Sequence, residues 1–487
     1  MTNSLVHDLA SSLKPDEVES FRIFLQSEFF NRDFNVVELT TLFEVMQKAL
    51  VSGDLETLQK DTLYGLVFPD RPWIRNKLEK LASDLNKMLR MFLLTQRYLN
   101  PENELNQQLD WLKELRAKGL ATRHQHVLDK AKKEIEIKNI ESLEQYYYRQ
   151  QLAQEEYEWR SLYNTKGDMK LPELIGHVDD YYYVYRTELM NRLLLQHRHS
   201  NLEAHVIAMI QKPWIVPEAQ LNNSVILRIT WSIHLLLKDE NPSIEAFQDL
   251  LSYLKSQESI LIPWEIKAFY TYLRSLCSIF IDHGHDAFFF VLHELQKDNL
   301  DRGYFYFEDK IFPHSCLSIT QIAIVVGAIE WGKQFVEAHK NRIFGDGEER
   351  EYYKLNLAIC YFAEKEYDAA LETMLLHTPF STYHLMARRL ELKCYFELRS
   401  DLLPYKIDAF SMFIRRAGQR VYSKDTEELN LNFVNALRQI HLSTDISDPT
   451  RSQRLTKRIN AKKMIAERKW LLEKAAELGR NTKKTPR

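Results

Sequence analysis

Glycine and proline are scarce in this chain. Its 487 residues include 13 Gly and 14 Pro, each about 3% of the total, where roughly 7% and 5% are usual. So few breakers and turn formers predict long helices joined by short loops. Cysteine is scarce too. Cys277, Cys316, Cys360 and Cys394 form no Cys-x-x-Cys pair and sit among aliphatic and aromatic residues, which argues against a disulfide framework and for reduced core thiols. No long apolar run occurs. The longest, Ile319 to Ile329, is interrupted by Thr320 and Gln321 and is about half a membrane span. Met1 to Lys14 lacks a basic segment leading into an apolar one, so no secretory signal is expected. These absences read as a soluble, cytoplasmic protein. Catalytic motifs are missing as well. No Gly-x-Ser-x-Gly occurs, and Gly345-Asp346-Gly347 has neither a following Lys-Ser/Thr nor a preceding strand, so it reads as a turn and not a phosphate loop. Carboxylates are spread over helix faces without an evident acid–base pair. No enzyme activity and no cofactor are expected.

Apolar material is ample. Hydrophobic residues make up 45% of the chain, with 24 Tyr and 25 Phe. The length is large for one core and ordinary for a helical array. The net charge of −3 hides an asymmetry. Residues 451–487 hold 13 Lys and Arg against 3 Asp and Glu, a net +10, and residues 1–450 hold 52 against 65, a net −13. The chain therefore has an acidic body and a basic tail.

Periodicity divides the chain into four stretches. Residues 1–100 form an N-terminal helical unit. There Pro15 opens a helix bearing Val18, Phe21, Phe24 and Leu25, Val36 to Val51 is closed by Ser52-Gly53, and Trp73 to Leu99 carries Ile74, Leu78, Leu81, Leu85, Met88 and Phe92 on one face. Residues 101–170 are long polar helices with a seam through Leu128, Ile135, Leu143 and Leu152. Residues 171–442 repeat an aromatic-rich helix, a short polar turn and a second helix; Phe305 to Phe312 is the one aromatic stretch with extended character. In 443–487, Ser443 to Thr450 reads as a linker, Gln453 to Leu478 as one basic amphipathic helix, and Asn481 to Arg487 as disordered. That helix has one apolar stripe through Leu455, Ile459, Ala466 and Trp470, and another through Met464, Leu471, Ala475 and Leu478.

Cys360-Tyr361-Phe362 recurs as Cys394-Tyr395-Phe396, 34 residues later. That is the length of one tetratricopeptide helix–turn–helix unit. Leu357-Ala358 and Tyr361 stand where such a unit has its first-helix residues, and Ala370 and Met374 where it has its second-helix residues. In the next unit Leu392 and Tyr395 fit, while Pro404 replaces the usual Ala. Lys354 stands where the large aromatic usually sits, and no proline closes the unit at Thr382. Residues 345–415 thus resemble tetratricopeptide repeats, one good and one degenerate, and Leu276-Cys277, Phe280 and Ala287 hint at a third. The resemblance implies an all-α fold of stacked helical hairpins, a solenoid followed by a basic C-terminal helix. It also implies binding of a protein or peptide in a groove.

Tyr146-Tyr147-Tyr148 and Tyr181-Tyr182-Tyr183 with Tyr185 are the leading candidate contacts. Three consecutive aromatics on a helix point three ways, so at least one of each run should face a groove or solvent. Tyr147, Tyr182 and Tyr185 are the expected partner-binding residues, since Tyr is large, rigid and able to hydrogen-bond. Asp282-His283-Gly284-His285-Asp286 has metal-ligand residue types, and a metal-dependent enzyme built on Asp282, His283, His285 and Asp286 is one alternative. A solvated helix–helix turn is the plainer reading. His197-Arg198-His199 reads as a helix end, where cations suit the dipole. The basic arm, with Arg451, Arg454, Lys457, Arg458, Lys462 and Lys463, has three readings: docking on the body, nucleic-acid binding, or binding of a partner protein. The expected function is a non-enzymatic scaffold that presents an aromatic-lined groove to a partner polypeptide.

Overall fold

The computed structural model describes residues 4–32, 34–54, 56–69, 71–138, 140–163, 167–199, 203–345, 349–374, 382–444 and 449–480. Part of the expected turn at 345–347, half of the 443–450 linker and the 481–487 end lie outside these. The chain divides into two compact units, 1–188 with 216–227, and 189–215 with 228–487. It is all-α apart from one short hairpin among the described residues.

The first helices are α1 (Leu5–Ser12), α2 (Pro15–Leu25), α3 (Val36–Ser52), α4 (Lys60–Val67) and α5 (Lys77–Leu99). Pro15 occupies the first turn of α2, and the Glu17 carboxylate accepts the Lys14 backbone N–H at 2.8 Å. Gly53 ends α3 at φ +71°, a conformation costly for other residues. These five helices enclose one core around Phe21, Phe43, Leu85 and Phe92. The last helix begins four residues later than periodicity predicted, so Ile74 is exposed while the rest of its expected stripe is buried.

Next come α6 (Glu104–Ala117), α7 (Ala121–Lys138), α8 (Leu143–Tyr163), α9 (Leu171–His199), α10 (Ala204–Gln211), α11 (Glu218–Asn223) and α12 (Val225–Lys238). The expected seam is present: Leu128, Ile135 and Leu152 share a core with Leu109 and Leu112, while Leu143 is half-buried. The boundary between the two units falls inside α9 and α12.

Unit 2 continues with α13 (Ile244–Gln257), α14 (Pro263–Asp282), α15 (Phe288–Asp301), the hairpin β1 (Tyr306–Phe307) and β2 (Lys310–Ile311), α16 (Pro313–Val325), α17 (Ile329–Ala338), α18 (Glu349–Ala363), α19 (Tyr367–Thr373), α20 (Thr382–Glu397) and α21 (Leu403–Val421). Four successive helix pairs are joined by the same turn. A left-handed residue stands at Gly284, Gly327, Lys365 and Arg399, spaced 43, 38 and 34 residues apart. In each turn its N–H meets the carbonyl three residues back at 2.9–3.1 Å, and the next N–H meets the carbonyl five before it at 2.8–3.0 Å. This double bond pattern satisfies helix-end carbonyls that would otherwise lack partners. The 34-residue recurrence marks two of these turns.

Helix α16 packs on α18, and α18 on α20, as well as each on its hairpin partner. The small side chains at the contacts are buried, as their size requires. Ala358 and Ala370 are fully buried, and a Cβ added at Gly332 would meet the Ala323 Cβ at 3.1 Å. Leu357, Met374 and Leu392 are buried, while Tyr361 and Tyr395 are half-buried beneath the ammonium groups of Lys333 and Lys406, at 4.7 and 5.1 Å from the ring centres. Each of the four cysteines is free, buried and on the first helix of one pair: Cys277 on α14, Cys316 on α16, Cys360 on α18 and Cys394 on α20. The stretch that read as extended is the β1–β2 hairpin, and Ile311 also bridges to Ile343.

The C-terminal stretch corrects the expectation of one basic helix. After α22 (Lys424–His441) come two helices, α23 (Pro449–Ala461) and α24 (Arg468–Arg480). The break lies at Lys462 to Glu467, where Glu467 is left-handed at φ +53°. The Arg468 guanidinium holds the turn closed. It donates to the carbonyls of Ile459 at 2.8 Å and Lys463 at 3.2 Å, and to that of Lys462. Two apolar stripes that read as two faces of one helix belong instead to a pair packed on each other and on α20–α22. Leu455, Ile459, Trp470, Leu471 and Ala475 share a core with Leu385, Phe410 and Phe433. The tail therefore docks. Glu467 bridges Arg389 at 3.3 Å and Lys393 at 2.8 Å, and the Trp470 indole N–H donates to Glu397 Oε1 at 2.9 Å.

Candidate partner-binding site

Helix α8 sorts its three tyrosines by burial. Tyr146 and Tyr148 point to opposite sides and are buried, one hydroxyl donating to Ser224 Oγ at 2.7 Å and the other to Gln108 Oε1 at 2.9 Å. Burial pushes both phenols above their usual range, so they act as neutral donors. Tyr147, between them, stays at the surface. Its ring packs at 5.6 Å against Tyr181 of α9, which stacks at 5.6 Å and 15° on Tyr185. Two of the three expected contact residues are thus linked through a third ring. Tyr182 lies next to Tyr185 on the exposed face, with the Arg186 guanidinium 5.7 Å from its ring centre.

The tyrosines belong to a longer feature that their adjacency in sequence obscures. Along α9, Leu171, Ile175, Val178, Tyr182, Tyr185 and Leu189 are each 41–59% exposed. Their spacings of 4, 3, 4, 3 and 4 place all six within about 80° of arc on a helix with 3.6 residues per turn. Val184 and Thr187, on the other side, are buried. Alternating steps of 4 and 3, which repeat every seven residues, are the spacing of a helix-pairing seam. The sequence reading missed Leu171, Ile175, Val178 and Leu189, although the 4-3 spacing was there to be read.

The other candidates are arranged differently. Asp282, His283, His285 and Asp286 are all exposed in the turn between α14 and α15, and His283 Nδ1 is occupied by the Ile279 carbonyl at 2.7 Å. No group of three His, Cys, Asp or Glu side chains able to hold a metal occurs among the described residues. Arg198 donates to the Leu237 carbonyl at 2.9 Å. In the basic arm, Arg454, Lys457, Arg458, Lys462 and Lys463 are exposed and Arg451 is half-buried. Arg458 and Lys462 line a groove of 500 Å³ with Asn435 and Gln439 of α22.

Unit 1 also contains an ionic cluster that sequence reading did not single out. Glu155 and Glu156 are consecutive and almost fully buried. Glu155 accepts Arg116 Nε at 2.6 Å and lies 3.3 Å from His124 Nε2. Glu156 pairs with Lys132 and accepts Arg160 at 2.8 and 2.9 Å. Burial alone would raise both carboxyls, but these partners outweigh it and hold them below the usual range. No helix among the described residues is long and apolar enough to cross a membrane. No protein-family model, no curated protein and no solved structure matches the chain.

Proposed function

We propose that this chain is an interaction protein whose α9 receives an amphipathic helix of a partner. The observation that carries this reading is the exposed stripe from Leu171 to Leu189. A row of apolar and Tyr side chains at helix-pairing spacing gains by being covered, and Tyr anchors suit interface centres. The four identical turns of unit 2 support the accompanying reading of its hairpins as a tetratricopeptide-like solenoid, which is an interaction scaffold. A photo-crosslinking residue at Val178 tests the proposal. In lysate it should yield one discrete adduct, and the pair Ile175→Asp and Tyr182→Asp should abolish it. These positions are exposed, so the variant should melt within about 0.5 kcal/mol of the wild type. An adduct that persists in the variant, or none in either chain, rejects the proposal.

A second reading is favoured by the docked tail. With its apolar stripes covered, the arm keeps five cations exposed, a footprint suited to a nucleic-acid backbone. Deleting 451–487 is a poor test, because it strips a packed core. The pair Lys457→Glu and Arg458→Glu is cleaner. It should weaken oligonucleotide binding and lower the slope of log affinity against log salt by about 1 per lost contact; an unchanged slope rejects this reading.

A further inference from the structure

Unit 2 gathers a second group of cations, none of them on the arm, in one pocket. Lys310, Lys340, Arg350 and Lys354 line one pocket of 770 Å³, together with Asn341 and Tyr353. Three separate segments bring them together. Backbone bonds from Ile311 N–H to the Arg342 carbonyl at 2.7 Å and from Phe344 N–H to the Ile311 carbonyl at 2.9 Å tie β2 to residues 342–344. This fixes Lys310 beside Lys340 and Asn341. Arg350, Tyr353 and Lys354 follow at helical spacing in the first two turns of α18, whose positive end adds to the same potential. Tyr353 is buried and forms a fixed wall, its hydroxyl donating to Glu337 at 2.9 Å.

Ion pairing is common elsewhere on this unit, as in Lys333–Glu364 at 2.7 Å and Lys406–Glu391 at 2.7 Å. Among the described residues, none of the four pocket cations has a carboxylate within ion-pair distance. Lys310 and Lys340 instead lie 5.8 and 5.7 Å from the ring centres of Phe344 and Tyr353. Among the described residues, the single carboxylate on the lining is Glu372. Four cations gathered in one concavity of an otherwise acidic body repel one another and focus a positive field on the cavity. An anion that reaches several of them at once relieves that repulsion.

We propose that this pocket binds a small ligand carrying two or more phosphoryl groups. Its volume lies in the range of small-ligand sites, roughly 300–1,000 Å³. Arg and Lys are the usual phosphate donors, and the Asn341 amide can add a neutral one. The proposal is independent of the α9 reading and uses no residue of it.

Calorimetric titration of the full chain with inorganic tripolyphosphate, at fixed low ionic strength, tests it. Saturable binding at one site per chain is expected. The pair Lys340→Ser and Lys354→Ser should weaken it at least ten-fold, and Lys310→Ser with Arg350→Ser should do the same should the first pair lower the melting temperature. Lys457→Ser with Arg458→Ser on the arm should leave it unchanged. Absence of saturation overturns the proposal, and so does an equal loss in the arm variant, which would mean diffuse charge attraction. A single-stranded oligonucleotide that binds more tightly through the same four cations would also overturn it, in favour of a polymeric ligand.

Discussion

Replacing Trp470 by alanine is expected to destabilise unit 2 by about 3–5 kcal/mol. The indole is buried, meets the Phe396 ring edge-on at 5.4 Å and gives its N–H to Glu397. Removing it opens a void beside Phe396 in the core that α24 shares with α20–α22. Trp470→Phe keeps most of the apolar contact and loses one hydrogen bond, so its cost should be about 1 kcal/mol. Glu397 retains Lys474 at 2.9 Å in that variant. Urea unfolding followed by far-ultraviolet circular dichroism gives both values. An alanine variant within 1 kcal/mol of the wild type would show that the basic tail is an accessory rather than part of the core.

Glu155→Ala should cost about 1–3 kcal/mol, because it removes the buried carboxylate that Arg116 and His124 share, although Glu158 still pairs the half-buried guanidinium. Glu158→Ala, which removes a more exposed partner of the same guanidinium, should cost under about 1 kcal/mol. The cluster also sets an acid limit. Glu155 and Glu156 titrate below their ordinary 4.5 when folded, so their contribution is present above that pH and is lost as pH falls through the lower folded values. Buried histidines act earlier. Burial pushes His234 and His384 down to about 4 from 6.5. Below 6.5 the unfolded chain takes up protons that the folded one refuses, so by pH 5 each ring withdraws on the order of 2 kcal/mol. Stability measured from pH 7 to 3 should fall in two stages, unit 2 first. A single fall confined to pH below 4.5 would reject the histidine assignment.

Helix positions were legible where a local signal decides them. Pro15 and Gly53 fixed their helix ends because each restricts φ in its own way. Tyr147 was legible because three adjacent rings cannot all be buried on one side of a helix. The tail was misread for a physical reason. At 100° per residue, two apolar stripes look alike on one helix and on a hairpin, and the break depends on Arg468 reaching back to α23. The turn at Arg399 was likewise hidden, since the left-handed residue there is not Gly. Periodicity also cannot say which face of an apolar helix is covered, so the stripe on α9 emerged only once its buried side was known. The cations of the unit 2 pocket come from three segments and leave no local mark in the chain.

The four thiols have a consequence for kinetics. Each helix pair of unit 2 from α14 to α21 carries its own cysteine, buried so deeply that its thiol is pushed up to about 12. A thiol reacts as its thiolate, so each can be modified only when its own pair opens. The chain thus has four built-in clocks, read site by site through mass spectrometry of an alkylated sample. Coincident rates would mean that the hairpins breathe as one cooperative block. A gradient from Cys277 to Cys394 would mean that they fray in sequence, as stacked repeats with nearest-neighbour coupling should.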